Sequence, residues 1–257
     1  MTSAANGTFG ICCEPEDTAV YADAGFDYFE CTVAWMLCAS EDYRKRIAGA
    51  ALPCRVANCF LPGDLKITGE NIDRKRIADY VEKALSRAAE CGIETIVFGS
   101  GSARDHAPDF PAERAAGQIL EFVQGITPAL DRYGVTLAVE PLSVPDSNMI
   151  NSVGAGAALV NTVAHPRVKL LADSYHFYRM QDAVDSLVWS LPLLQHIHVA
   201  TLPSRLAPGM EEFDFAPFLN VLKNGGYSKR ISVECHPTAD RKKDAESAIA
   251  LLRRIWG

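Results

Sequence analysis

Asp173 and His176 lie three residues apart in Val168-Lys-Leu-Leu-Ala-Asp173-Ser-Tyr-His176, where the apolar run Leu170 to Ala172 ends abruptly in a carboxylate. A run of that length reads as a buried strand. An Asp at its end must be hydrated, paired or metal-bound, because an isolated buried charge is very costly. Three other apolar runs end in the same way. Thr136-Leu-Ala-Val-Glu140 and Arg230-Ile-Ser-Val-Glu234 end in Glu, and Gln195-His196-Ile-His198-Val199 carries imidazoles. Two Glu, an Asp and a His make an oxygen-rich ligand set suited to a hard-to-borderline divalent cation. Glu140, Asp173, His198 and Glu234 are therefore expected to converge on one metal ion. His196 shares the strand parity of His198 and is expected to support a ligand or to pack. Glu30, at or near the end of Asp27-Tyr-Phe-Glu30-Cys31, either reaches the same site or forms a structural ion pair.

The elements needed to position these residues follow from the rest of the chain. Phe9-Gly-Ile-Cys12, Asp27 to Cys31, Cys54 to Phe60, Thr95 to Phe98 and the four runs above give eight strands. Between them, helices are predicted over Glu16–Ala24, Ser40–Ala50, Asp73–Cys91, Ala112–Tyr133, Ser152–Ala164, Met180–Leu191 and Phe215–Asn224, with a last one over Asp244–Ile255. Ile77, Tyr80, Val81, Ala84, Leu85 and Ala88 repeat at the helical period, and Gly92 stops that helix. Pro128 predicts a kink or break. Repeating strand–helix units imply parallel strands joined by right-handed crossovers. Eight of them close into a single α/β barrel, a (β/α)8 fold spanning residues 1–257, with its active site at the carboxyl ends of the strands. A doubly wound open sheet would hold the fifth and eighth strand ends too far apart to share a ligand.

Composition narrows the function. The 257 residues carry 25 Lys and Arg against 32 Asp and Glu, a net charge of −7. That balance disfavours a nucleic-acid backbone as partner. No apolar run approaches the roughly 20 residues of a membrane span, and Met1-Thr-Ser-Ala-Ala-Asn-Gly lacks the regions of a secretory signal. The eight cysteines include the adjacent pair Cys12 and Cys13 and no CxxC spacing. They are expected as reduced thiols of a cytoplasmic protein.

Four short motifs, Ala138-Val-Glu140-Pro-Leu142, Leu171-Ala-Asp173-Ser-Tyr-His176, His196-Ile-His198-Val199 and Ile231-Ser-Val-Glu234, stand in order at strand ends. With Arg205 before Pro208-Gly209, Gly225-Gly226-Tyr227 and Phe60-Leu-Pro-Gly63, they resemble the xylose isomerase-like TIM barrel superfamily. Within it the pattern is most similar to the sugar phosphate isomerase/epimerase group, which includes ketose 3-epimerases and hydroxypyruvate isomerase. The resemblance implies one divalent ion on Glu140, Asp173, His198 and Glu234. Manganese, magnesium and cobalt are the usual choices, with zinc as a further one. It also implies substrate-oxygen contacts from His176 and Arg205, a small carbohydrate as substrate, and a homodimer or homotetramer as the common assembly. Ser143 departs from the pattern, since an Asn often follows Glu-Pro-Leu.

On this reading a metal-chelated hydroxy-carbonyl sugar reacts through an enediolate. Glu140 and Glu234, on two sides of it, serve as acid and base as well as ligands. A metal-dependent lyase, such as an inosose dehydratase, would begin with the same proton abstraction. A three-zinc apurinic endonuclease would need histidines on earlier strands and a late Asp-x-His, where this chain has Asn58-Cys-Phe, Gly99-Ser-Gly and Phe213-Asp-Phe. A sugar-binding barrel without catalysis is disfavoured by the intact ligand set. Gly99-Ser-Gly-Ser102 with Arg104 is either an anion cradle or a tight turn. Trp35, Phe60 and Phe98 either wall the pocket or pack in the core.

Overall fold

The structure, a computed structural model, describes residues 7–256. The first seven residues, read above for a secretory signal, therefore lie mostly outside the described residues. Eight strands form the inner wall: β1 Thr8–Cys12, β2 Tyr28–Thr32, β3 Cys54–Asn58, β4 Thr95–Phe98, β5 Thr136–Val139, β6 Val168–Asp173, β7 Leu194–Val199 and β8 Arg230–Val233. Each pairs in parallel with the next, and β8 returns to β1 with Ile231 opposite Phe9, so the barrel closes. The helices, in chain order, are α1 Thr18–Ala24, α2 Tyr43–Ala48, α3 Arg74–Glu90, α4 Gly101–Arg104 and α5 Ala112–Tyr133. They continue with α6 Val153–Val163, α7 Ser174–Arg179, α8 Val184–Ser190, α9 Ala216–Asn224 and α10 Arg241–Trp256. The (β/α)8 expectation holds.

The inside of the barrel explains where the rim residues point. Side chains alternate between the two faces of a strand. Tyr28, Val56, Val97, Ala138 and Leu171 face inward and form one buried cluster. The Tyr28 ring fills the middle because β1 presents Gly10 there. A Cβ at position 10 would lie 2.2 Å from ring atoms of Tyr28. The phenol hydroxyl pairs with Ser232 Oγ at 2.8 Å, so its buried polar tip is satisfied. Two residues further along, the same inward parity reaches the carboxyl rim at Cys12, Glu30, Asn58, Gly99, Glu140, Asp173, His198 and Glu234. The outward parity supplies Phe29, Ile96, Val139, Ala172, Ile197 and Val233 to the larger core under the helices.

Several predicted elements shift, each for a local reason. The helix expected from Ser40 forms only at Tyr43–Ala48, because Ser40 Oγ donates to Asp42 at 2.6 Å and holds a turn instead. A π-helical segment, Val33–Cys38, precedes it. The helix expected over Met180–Leu191 is confined to α8. Gln181 adopts φ 52° and interrupts the chain, and Asp182 accepts from Val153 N at 2.6 Å and Ala183 N at 3.0 Å. α7 was not anticipated; it begins where Asp173 accepts the amide of Tyr175 at 2.8 Å. α5 runs unbroken through Pro128, and there is no second helix. All eight cysteines are unpaired. Among the described residues, no helix is long and apolar enough to cross a membrane.

Candidate metal centre and active site

Neighbouring strands deliver the four rim residues to one place. Glu140 and Glu234 each stand one residue beyond a strand, and their amides continue the ladder to Phe98 O and Val199 O, both at 3.1 Å. Asp173 closes β6, and its bond to Tyr175 N fixes the carboxylate. One donor atom from each of Glu140, Asp173, His198 and Glu234 lies within 4.8 Å of the others. His198 Nδ1 stands 3.3 Å from Glu140 Oε1 and 3.4 Å from Glu234 Oε2. The convergence expected from the sequence is present.

Room for Glu140 is made by Gly99 on the adjacent strand end. A Cβ there would sit 2.2 Å from Glu140 Oε2. From below, the buried Arg104 guanidinium donates to the carbonyls of Glu140 at 2.9 Å and Phe98 at 3.2 Å. Gly99 to Ser102 is therefore a tight turn and not an anion cradle. Ser100 Oγ accepts from Leu61 N at 2.9 Å, and a Cβ on Gly101 would lie 2.1 Å from Asp146 O. Phe60 and Phe98 pack in the core with Phe122, whereas Trp35 is 65% exposed.

Glu30 sets the orientation of His198. Its carboxylate lies 3.1 and 3.2 Å from His198 Nε2, leaving Nδ1 to face the other carboxylates. A carboxylate behind a ligating imidazole fixes its tautomer and raises its basicity. The same carboxylate meets His196 Nε2 at 2.9 Å, and the two rings stand edge to face at 5.0 Å. His196 thus supports a candidate ligand, as its parity suggested. The role of Glu30 was half legible: the carboxylate had the right parity, but which partner it would meet was not readable.

Charge in this buried cluster is unevenly held. Burial pushes the Asp173 carboxyl up to about 6, against the pull of Arg205. Burial likewise raises Glu140. Glu234 feels the same burial, but His198 and Arg205 outweigh it and hold the group at about 2. Burial pulls His198 down; Glu30, Glu234 and Glu140 more than compensate, and its pKa ends well above the usual imidazole range.

Arg205 and His176 flank the cluster. Arg205 Nη2 lies 2.5 Å from Glu234 Oε2 and 3.4 Å from Asp173 Oδ2, and its guanidinium covers the Tyr175 ring at 4.7 Å. Its backbone takes φ 53°, a left-handed conformation costing of order 1–2 kcal/mol for a residue with a Cβ. His176 Nδ1 accepts the amide of Ser143 at 3.1 Å, so the proton sits on Nε2, 3.7 Å from Asp173 Oδ2. Burial lowers the His176 pKa and favours this neutral form. The Ser143 hydroxyl contacts His176 and Asp146. At this position the side chain supports His176.

Residues 19–255 match the family model described as Xylose isomerase-like TIM barrel. The chain belongs to this family. Curated relatives of the xylose isomerase-like chain include D-psicose 3-epimerase of Agrobacterium fabrum, 26% identical over 161 residues. That match covers 60% of this chain and 54% of the other, so the chain spans about half the length of that relative. A 3-dehydro-D-guloside 4-epimerase of Escherichia coli is 25% identical over 243 residues, covering 90% of both. Among solved structures, the IOLI protein with a binding zinc atom shares the fold, with a TM-score of 0.73 at 18% identity over 96% of both chains.

Proposed function

We propose that this chain is a divalent-metal-dependent isomerase or epimerase of a small ketose or related hydroxy-carbonyl sugar. The observation that carries the reading is the meeting of two buried carboxylates, a half-buried third and one buried imidazole within 4.8 Å. Three carboxylates brought so close from three strands call for positive charge, which Arg205 supplies to Glu234 and Asp173 and His198 to Glu140, and which a divalent cation would supply to all three at once. Donor atoms brought this near from separate strands could close on one ion. Glu140, Asp173, His198 and Glu234 would hold the ion. Oxygen-rich ligation suits manganese, magnesium or cobalt, and the single imidazole also admits zinc. Relatives named as sugar epimerases support the reaction class, and the zinc atom in the IOLI protein supports the metal.

When bound, the ion supplies Lewis acidity that polarises a substrate carbonyl and its neighbouring hydroxyl and steadies a developing enediolate. The protein moves the protons. Before a cation binds, burial and His198 split the two glutamates, with Glu140 raised and Glu234 lowered. An ion held by both would keep each carboxylate ionised. One of Glu140 and Glu234 would take the proton from the substrate carbon on one face, and the other would return one on the opposite face. The Nε2–H of His176 and the fork of Arg205 donate to substrate oxygens as their charge grows.

Among the described residues, the groups able to hold a metal are this cluster and Cys12, Glu30 and His198, which share one imidazole. A three-ion nuclease site would need more ligands than these.

The test is a ketose panel with added manganese in deuterated water. Exchange at a single carbon is expected. Glu140→Gln and Glu234→Gln should each lower the rate about 10²–10⁴-fold, with metal content measured alongside. Full turnover in both variants would end the acid/base assignment, and release of a dehydrated product would mark a lyase.

A further inference from the structure

Asn58 closes β3 on the same parity as Val56, which belongs to the inward-facing cluster, so its side chain enters the barrel mouth. From there it reaches across the rim: Asn58 Nδ2 donates to Glu234 Oε1 at 3.1 Å. β3 and β8 are not neighbours, since β1 and β2 stand between them. The bond therefore serves no strand pairing and joins two side chains alone. It also fixes the amide, because a carboxylate accepts only from the NH2 end. Asn58 Oδ1 is then a buried acceptor with no partner among the described residues. Thr32, opposite Asn58 in the β2–β3 register, does not relieve it, and its own hydroxyl is buried and unpartnered among those residues too.

This arrangement is locally unfavourable. An orphaned buried oxygen takes back a large part of the stability that the bond to Glu234 returns. The next residue, Cys59, adopts φ 50°, a left-handed conformation that a Cβ disfavours. Its carbonyl accepts from Ala34 N at 3.2 Å, which holds that turn in place. The second donor to Glu234 is Arg205, itself left-handed. Both groups that grip this one carboxylate are thus tied to strained backbone. Such strain gathers where the position of a group matters more than stability. The two grips also divide the carboxylate. Asn58 takes Oε1, and Oε2 is left to Arg205 at 2.5 Å and His198 Nδ1 at 3.4 Å. Asn58 is only 5% exposed, so water competes poorly for its bond.

We propose that Asn58 is a positioning residue for Glu234: its NH2 pins one carboxylate oxygen so that the other faces the proposed metal site. It acts through Glu234 and not on the reacting atoms. Its unmatched amide oxygen is what that bond costs the fold, because an apolar side chain of similar size would fill the place with no orphaned atom. The inference rests on the reading above that Glu234 is both ligand and acid/base group.

The experiment compares the full chain with Asn58→Leu and Asn58→Val, which differ in shape and share the loss of the amide. Titration calorimetry reads manganese affinity. Solvent deuterium exchange on the best ketose of the panel reads kcat and KM, and scanning calorimetry reads the Tm of the metal-free protein. Both substitutions should weaken manganese binding about tenfold and lower kcat about tenfold or more, with KM moving by less than about threefold. The metal-free Tm of Asn58→Leu should stay level or rise, because the orphaned oxygen leaves with the donor. Unmoved manganese affinity and kcat in both variants would overturn the proposal. A metal-free Tm lowered by about 5 °C or more in both variants would mark a structural residue and overturn it as well. If the parent chain exchanges no ketose, the proposed reaction fails instead, and the manganese affinities and Tm values still decide the role of Asn58.

Discussion

At the scale of single residues, Glu30 has the largest leverage for its distance from the reaction. It touches His198 and His196 with the same carboxylate, so removing its charge would loosen the imidazole that faces the proposed metal site. Glu30→Gln is expected to weaken manganese affinity about 10–100-fold, as read by metal titration, while far-ultraviolet circular dichroism stays native. Unchanged affinity would show that packing alone orients His198. The candidate ligands were legible because Glu140, Asp173, His198 and Glu234 each end or cap an apolar run, where a lone charge needs a partner. Thr32 and Asn58 were not. A Thr or Asn at a strand end is ordinary, and only the three-dimensional count of hydrogen-bond partners singles out their empty atoms.

At the scale of elements, α5 shows how a helix continues past a proline where two helices were one of the expected outcomes. Pro128 cannot donate to the carbonyl of Gln124, and a kink or break would follow if that carbonyl stayed unsatisfied. Thr127 Oγ1 donates to it at 2.9 Å and the helix continues. The repair uses a neighbour whose rotamer the sequence does not reveal. Pro128→Ala should therefore stabilise the protein by up to about 3 kcal/mol, the cost of proline in a helix interior, partly offset by a freer unfolded chain. Urea denaturation measures it, and a variant less stable than the parent would refute the account. Helices with a clean period, such as α3, were legible almost to the residue. The segment between Asp173 and Leu191 was not, because Asp173 begins one short helix while Asp182 and a left-handed Gln181 delay the next.

At the scale of the whole molecule, closing the barrel brings negative charge together at one rim, and stability becomes linked to pH. Asp173 has a folded pKa near 6 and His198 one well above the usual value. Both are raised above their unfolded values, so each group's contribution is full below the unfolded pKa and is lost as pH rises through the folded one. Glu234, held at about 2, acts oppositely, and only in acid. The metal-free protein should therefore lose the Asp173 contribution as pH rises from about 4 to about 6 and the His198 contribution above about pH 6.5, while His176 and His196, whose pKa values burial lowers, act oppositely below that. On the proposed reading manganese would displace those protons, so its affinity should rise with pH and its binding should release protons. At a hundredfold excess over Kd, manganese should raise the Tm by about 5–10 °C near pH 7.5, and by clearly less at pH 5, in scanning calorimetry. A larger gain at the lower pH would reverse the assigned signs.

Gly99 carries one last consequence. Where Glu140 rests, its neighbour on the fourth strand offers a hydrogen and nothing bulkier. Adding a single methyl group would push that carboxylate aside while leaving every strand pairing intact. Gly99→Ala should thus yield a well-folded barrel unable to keep its ion, which would make it a same-shape blank for separating what the scaffold does from what the cation does.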